Sequence, residues 1–124
     1  MTGLTYDTGA LIAAERGDRR MLRIHQRAMG RGLVPTVPAA VLVEAWRGGA
    51  LMARVLGGTE VDVLDERGAR RAAWLLRASG SSATVDATVV EGALRRGDAV
   101  VTSDRADLAT LAEAAGRRLA IIDI

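Results

Sequence analysis

Asp7, Glu44, Asp86 and Asp104 are the residues of this chain best suited to do chemistry, with Asp107 close behind the last. Asp7 ends the short run Leu4-Thr5-Tyr6, and Asp104 ends Ala99-Val100-Val101-Thr102-Ser103. Glu44 and Asp86 lie inside apolar helical stretches, where an unpartnered acid is costly to bury. Val89, Val90 and Ala93 follow Asp86 at spacings of three, four and seven, which sets Asp86 on or beside the apolar face of its helix. Acids at strand ends, joined by acids on neighbouring helices, are what a hard-metal phosphate site needs. Carboxylate-bound Mg²⁺ usually acts on phosphate esters, so the expected chemistry is in-line attack of an activated water on phosphorus.

The residue types that are missing narrow the choice further. The 124 residues include no Cys, which rules out disulfides, thiolate nucleophiles and Cys-ligated zinc. A single His excludes a multi-His metal site within one chain. Lys is absent, and all 17 basic residues are Arg, so there is no P-loop lysine and no Schiff-base chemistry. What remains is carboxylates, hydroxyls and arginines, and carboxylates by themselves favour Mg²⁺ or Mn²⁺. The net charge of +2 is small, but acids gathered in one cleft would leave the rest of the surface more basic than that value implies. With no Phe and only Tyr6, Trp46 and Trp74 as aromatics, base stacking on an aromatic platform is not expected.

The elements that must position these acids can be read from the punctuation. The pattern predicts a strand at 4–7 and helices at 8–16 and 18–30, stopped by Gly17 and by Gly30 and Gly32. A strand over 33–37 precedes a helix that Pro38 opens and that runs to Arg47, followed by a short helix at 50–56. A strand at 59–64 leads to Asp65, which caps a helix at 66–79; a further helix spans 84–96 and stops at Gly97. A buried strand at 99–102, a helix at 105–115 and a last strand at 119–122 complete the chain. Strands alternating with helices imply a single α/β domain over 1–124, with a central parallel sheet of four to five strands covered on both faces. Ligands of such sheets bind beyond the carboxyl ends of the strands, where Asp7 and Asp104 both fall. No apolar run spans a membrane and no leader pattern opens the chain, so a cytoplasmic protein with no membrane partner is the expectation.

Each feature has a plainer reading. Asp7 serves equally as a helix N-cap, and Asp104 with Asp107 resembles a capping box. Glu44 has Arg47 within ion-pairing distance on a helix. Four acids explained separately need four coincidences, whereas one divalent cation explains them together by compensating their repulsion. Thr102 and Ser103 are core-edge or capping residues that could also orient a water. His25, among Arg23, Gln26 and Arg27, reads as a solvated helix residue. Arg16, Arg20, Arg23, Arg27 and Arg31 form a stripe at helical spacing, which is either a solvated face or a contact for RNA phosphates or an acidic protein segment. Trp46 and Trp74 read as core or dimer-interface residues.

The pattern Asp7-Thr8-Gly9-Ala10-Leu11-Ile12, Pro38 and Val41-x-x-Glu44, Asp86-Ala87 and Val101-Thr102-Ser103-Asp104-Arg105-Ala106-Asp107-Leu108 resembles a PIN-domain ribonuclease. More narrowly it is similar to the VapC-type toxins of bacterial toxin–antitoxin pairs. The resemblance runs in order over essentially the whole chain, and Gly9 and Leu108 depart from it where many members have Ser and Phe. It implies a three-layer α/β/α PIN-like domain whose metal-binding and catalytic acids are Asp7, Glu44, Asp86 and Asp104, with Asp107 as an accessory ligand. It also implies Mg²⁺- or Mn²⁺-dependent cleavage of structured RNA, a homodimer, and a cognate antitoxin whose C-terminal segment covers the site. A metal-dependent DNA nuclease or phosphatase, and a non-catalytic PIN-like scaffold, are the competing expectations.

Overall fold

The computed structural model describes residues 2–124. Five short strands form one sheet: β1 (Leu4–Tyr6), β2 (Thr36–Pro38), β3 (Glu60–Asp62), β4 (Ala99–Thr102) and β5 (Ile121–Asp123). Their order is β3-β2-β1-β4-β5 and every pairing is parallel, with Thr5 beside Thr36 on one side and Val100 on the other. Parallel strands need covered faces, and β4 is buried at all four positions. The edge strands β3 and β5 instead carry Glu60, Asp62 and Asp123, charges that discourage further strand pairing.

Seven helices flank the sheet. One group comprises α1 (Thr8–Glu15), α2 (Arg19–Gly30), α3 (Ala39–Ala45) and α4 (Ala50–Gly57), with α1 touching the other three. The other comprises α5 (Glu66–Ser79), α6 (Thr84–Arg96) and α7 (Arg105–Ala114), which pack on one another. Capping follows the expected residues: Asp18 accepts from the Met21 N–H at 2.9 Å and Asp65 from the Gly68 N–H at 2.8 Å. Gly80 and Gly97 end α5 and α6 in the left-handed region, at φ of 72° and 75°, where a side chain would be strained.

The core is aliphatic, as a chain without Phe requires. Leu11, Met21, Val41, Met52, Val89, Val90, Leu108 and Leu111 from the helices are fully buried against Tyr6, Val37, Val100 and Val101 of the sheet. Among the described residues no buried side-chain polar atom lacks a hydrogen-bond partner, and no helix is long and apolar enough to cross a membrane.

Several local expectations are corrected. Leu33 to Pro35 lie outside β2, which begins at Thr36, and Pro38 ends that strand and stands at the N-cap of α3 instead of inside its first turn. β3 is only three residues because Val63 and Leu64 turn outward, 75% and 46% exposed. β5 starts two residues later than expected, since it is Val100 and Val101 that set its register through Ile121 and Ile122. Trp46 and Trp74 are 50% and 57% exposed and thus lie outside the core. His25 is buried, 3.0 Å from the Tyr6 hydroxyl through Nδ1, so the single histidine packs inside the domain and is not solvated.

Candidate active site

The chain changes direction across the sheet at β1. It builds β2 and β3 on one side, then crosses back to place β4 and β5 on the other. A crevice forms beyond the carboxyl ends of the two strands that flank such a switch, and that is where open parallel sheets bind ligands. Asp7 directly follows β1 and Asp104 lies two residues beyond β4, so both acids stand at this crevice.

Asp7 is only 6% exposed. Its Oδ1 accepts the Ala10 N–H at 2.9 Å, so it does cap α1. Thr102 lies beside both strand-end acids: its buried hydroxyl accepts the Asp104 N–H at 2.9 Å, and it is among the groups that act on Asp7. Burial still raises the Asp7 carboxyl above the usual range, against the donors Thr102, Ala10 and Gly9, and the Asp104 charge pushes it further. A cap needs one oxygen. It does not explain an acid kept under that pressure.

Asp86 lies in the first turn of α6, half-buried. Its carboxyl is pushed up to about 6, first by burial and then by the charges of Asp7, Asp107, Glu44 and Asp104. Asp86 therefore feels the charges of the four other acids singled out from the sequence, and Asp7 feels that of Asp104. Among the described residues none of these five acids makes an ion pair.

Glu44 and Asp104 are exposed, which corrects the reading of Glu44 as buried. Glu44 Oε1 accepts the Thr8 hydroxyl at 2.7 Å, a partner that the sequence reading missed. The expected ion pair with Arg47 does not form. α3 ends at Ala45, and the guanidinium beyond its end donates to the free carbonyls of Glu44 and Ala45 at 3.3 and 2.9 Å. The capping box is absent too: Asp104 holds the N-cap position of α7 without a side-chain capping bond, which leaves its carboxylate open to the crevice.

This donor set is all oxygen and densely anionic, the chemistry that Mg²⁺ or Mn²⁺ prefers. The side chains are not closed around an ion: among the described residues no three acidic or His groups are posed to hold one. The residues fit the cation by type, and their repulsion is what an ion would relieve.

Gly9 explains its own departure from the resemblance. A Cβ there would collide with the Ser103 hydroxyl and lie 3.3 Å from the Ser103 backbone nitrogen and 3.4 Å from Asp7 Oδ1. Ser103 fills the space that a side chain at position 9 would need. Arg16, Arg20, Arg23, Arg27 and Arg31 are all exposed along α1 and α2.

No protein-family model and no curated protein matches the chain. Solved structures do. A chain of a toxin–antitoxin complex from Klebsiella pneumoniae superimposes with a TM-score of 0.67 at 16% identity, covering 87% of this chain and 91% of that one. A chain of DNA-bound VapBC from Salmonella typhimurium gives 0.66 at 17% identity, covering 99% and 98%. A protein from Pyrobaculum aerophilum gives 0.64 at 18% identity, covering 98% and 90%. Five parallel strands, the β1–β4 switch and likeness over almost the full length of these chains establish a PIN-like α/β/α fold for this protein.

Proposed function

We propose that this protein is a Mg²⁺- or Mn²⁺-dependent endoribonuclease acting as the toxin of a type II toxin–antitoxin pair, with Asp7, Glu44, Asp86 and Asp104 as its metal-binding and catalytic acids and Asp107 as an accessory. The observation that carries this reading is that four acids press on half-buried Asp86 at the strand-switch crevice while none of the five is in an ion pair among the described residues. Two of the similar structures are toxin–antitoxin complexes, which supports the biological role.

A bound cation would supply the positive charge that polarises a phosphodiester and activates water. The chain's own groups do the rest. Thr102 anchors the Asp104 backbone through its hydroxyl. Thr8 holds Glu44 at the crevice rim. Asp86, whose carboxyl burial and the four neighbouring acids push up to about 6 when no cation is present, would be kept ionised by a bound cation and would help to hold it.

The partners follow from the same reading. Arg16, Arg20, Arg23 and Arg27 offer phosphate contacts outside the acidic crevice. An antitoxin would close the crevice by placing an Arg or Lys among the acids, where the charge substitutes for the metal. The exposed apolar side chains of Val43, Trp46, Val63 and Trp74 support a homodimer, since surface of this kind is usually covered.

The test is incubation of purified protein with total RNA, with and without Mn²⁺ and EDTA. Cleavage should require the metal, and cleavage that persists in EDTA overturns the mechanism. In cells, expression alone should arrest growth and Asp7→Asn should be harmless. Toxicity that survives Asp7→Asn would end the toxin reading.

A further inference from the structure

The crevice opens to two sides, and the two sides differ in charge. Towards α3 and α6 it meets a cavity of about 380 Å³ lined by Glu44 and by residues 82–86, which end in Asp86. Towards α1 and β5 it meets a cavity of about 520 Å³ lined by Gly9, Ile12, Ala13, Arg16, Ser103 and Ile124. The first is acidic and repels phosphate. The second sets one cation, Arg16, beside one carboxylate, Asp18, with one hydroxyl and an aliphatic wall.

We propose that this second cavity is a nucleotide subsite, which receives the nucleotide next to the scissile phosphate and lets the enzyme recognise ribose. The proposal rests on the nuclease reading and adds the residues that would position its substrate. Gly9 and Ser103 are shared between the cavity and the acidic crevice, so a strand crossing the acids continues into it without a break. Its volume lies within the range of small-molecule sites, roughly 300–1,000 Å³. Asp18 is also at its rim, but that carboxylate accepts the Met21 N–H at 2.9 Å and so is already engaged in capping α2.

Two groups there are without protein partners. Among the described residues Arg16 makes no ion pair and the Ser103 hydroxyl makes no hydrogen bond, and both residues are exposed. The Arg16 guanidinium is a fork for the phosphate that flanks the cut. Arg20 reinforces the same end of the sheet, where its charge reaches Asp123 at the end of β5. The Ser103 hydroxyl can donate to or accept from a ribose 2′-OH, the group that separates RNA from DNA. Ile12, Ala13 and Ile124 offer an apolar wall for a base or sugar face.

The experiment compares wild type, Arg16→Gln, Ser103→Ala and Gly9→Ala on a short RNA and on the same RNA with one 2′-deoxy nucleotide next to the cut, in Mn²⁺. Arg16→Gln should raise KM roughly fivefold to tenfold with kcat little changed, as expected for one lost charge-assisted contact. The 2′-deoxy substitution should weaken wild type about threefold or more and leave Ser103→Ala unaffected. Gly9→Ala, which evicts the Ser103 hydroxyl, should behave as Ser103→Ala does. RNA affinity is measured in parallel on Asp7→Asn with and without Arg16→Gln, so the subsite is judged even if no cleavage occurs. No cleavage by wild type overturns the nuclease reading. Cleavage or binding that is indifferent to Arg16 and to the 2′-OH overturns the subsite alone, and would leave the cavity to a protein segment.

Discussion

Asp7 and Glu91 are each 6% exposed, and their surroundings could hardly differ more. Glu91 Oε2 accepts from Arg71 Nε and Arg95 Nε, both at 3.0 Å, and Arg95 continues to Asp62 at 2.9 Å. Arg96, the next residue, bridges Asp62 and Asp98. Every acid in that network has a guanidinium. Asp7 accepts the Ala10 N–H but makes no ion pair among the described residues, and its neighbours in the crevice are acids. One buried carboxylate is built into the fold as structure. The other is held at an electrostatic disadvantage that only an added positive charge can remove, whether metal or partner arginine. Burial by itself does not identify a functional acid; uncompensated burial does.

The largest expected effect comes from removing that disadvantage at its centre. Asp7→Asn should lower RNA cleavage by roughly 10²-fold or more, because several kcal/mol of metal-dependent stabilisation is lost. The same change should leave the metal-free melting temperature unchanged or raise it, since the amide still accepts from Ala10 and repulsion falls. A clear drop in that temperature would make Asp7 an ordinary cap and end the contrast with Glu91.

Glu91→Gln should do the reverse. Arg71 and Arg95 lose a carboxylate, and the metal-free protein should lose about 1–3 kcal/mol in denaturant unfolding, a range held low because both arginines are partly solvated. Cleavage per folded molecule should be nearly unchanged. If Glu91→Gln were neutral for stability and harmful to kcat, the network would belong to the site.

The pH dependence separates the two regions again. Asp86 and Asp7 have folded-state carboxyls raised above the ordinary value, so their favourable contribution is complete below about pH 4 and is lost as pH rises through about 6, where Asp86 titrates. His25, whose pKa burial lowers, acts in the opposite sense, so the readout is the difference between wild type and Asp86→Asn. In EDTA, Asp86→Asn should gain melting temperature relative to wild type between pH 5 and 7, and Mn²⁺ should raise wild type at pH 7 more than it raises the variant. A flat difference over that window would mean that neither burial nor the neighbouring acids raise the Asp86 carboxyl.

The smallest effect is expected from the arginine stripe. Changing Arg20, Arg23 and Arg27 to Gln should reduce the dependence of RNA affinity on salt by about two to three released counterions. An unchanged slope would make the stripe a solvated face or a protein contact.

Much of this molecule was legible from residue types. α5, α6 and β4 match their expected bounds; Asp65 caps the start of α5, and Gly80 and Gly97 end the two helices in the left-handed region. The α/β class followed from the alternation of strands with helices, and the acids were visible by position: Asp7 and Asp104 at strand ends, Glu44 and Asp86 inside apolar helical runs, and Asp107 close behind Asp104. Sequence also excluded thiolate, lysine and multi-histidine chemistry, which composition settles by itself.

Tertiary structure decided what those residues touch. Local sequence could not tell that Arg47 would turn to its own helix end, that Asp104 would decline its cap, or that His25 would find Tyr6 across the core. The short β2, β3 and β5 were trimmed by pairing registers set by other strands. The separation of Glu91 from Asp7 is likewise non-local, since the guanidinium of Arg71 arrives from another helix. Periodicity places a side chain on a face. Only packing of distant segments determines whether the charge on that face is answered.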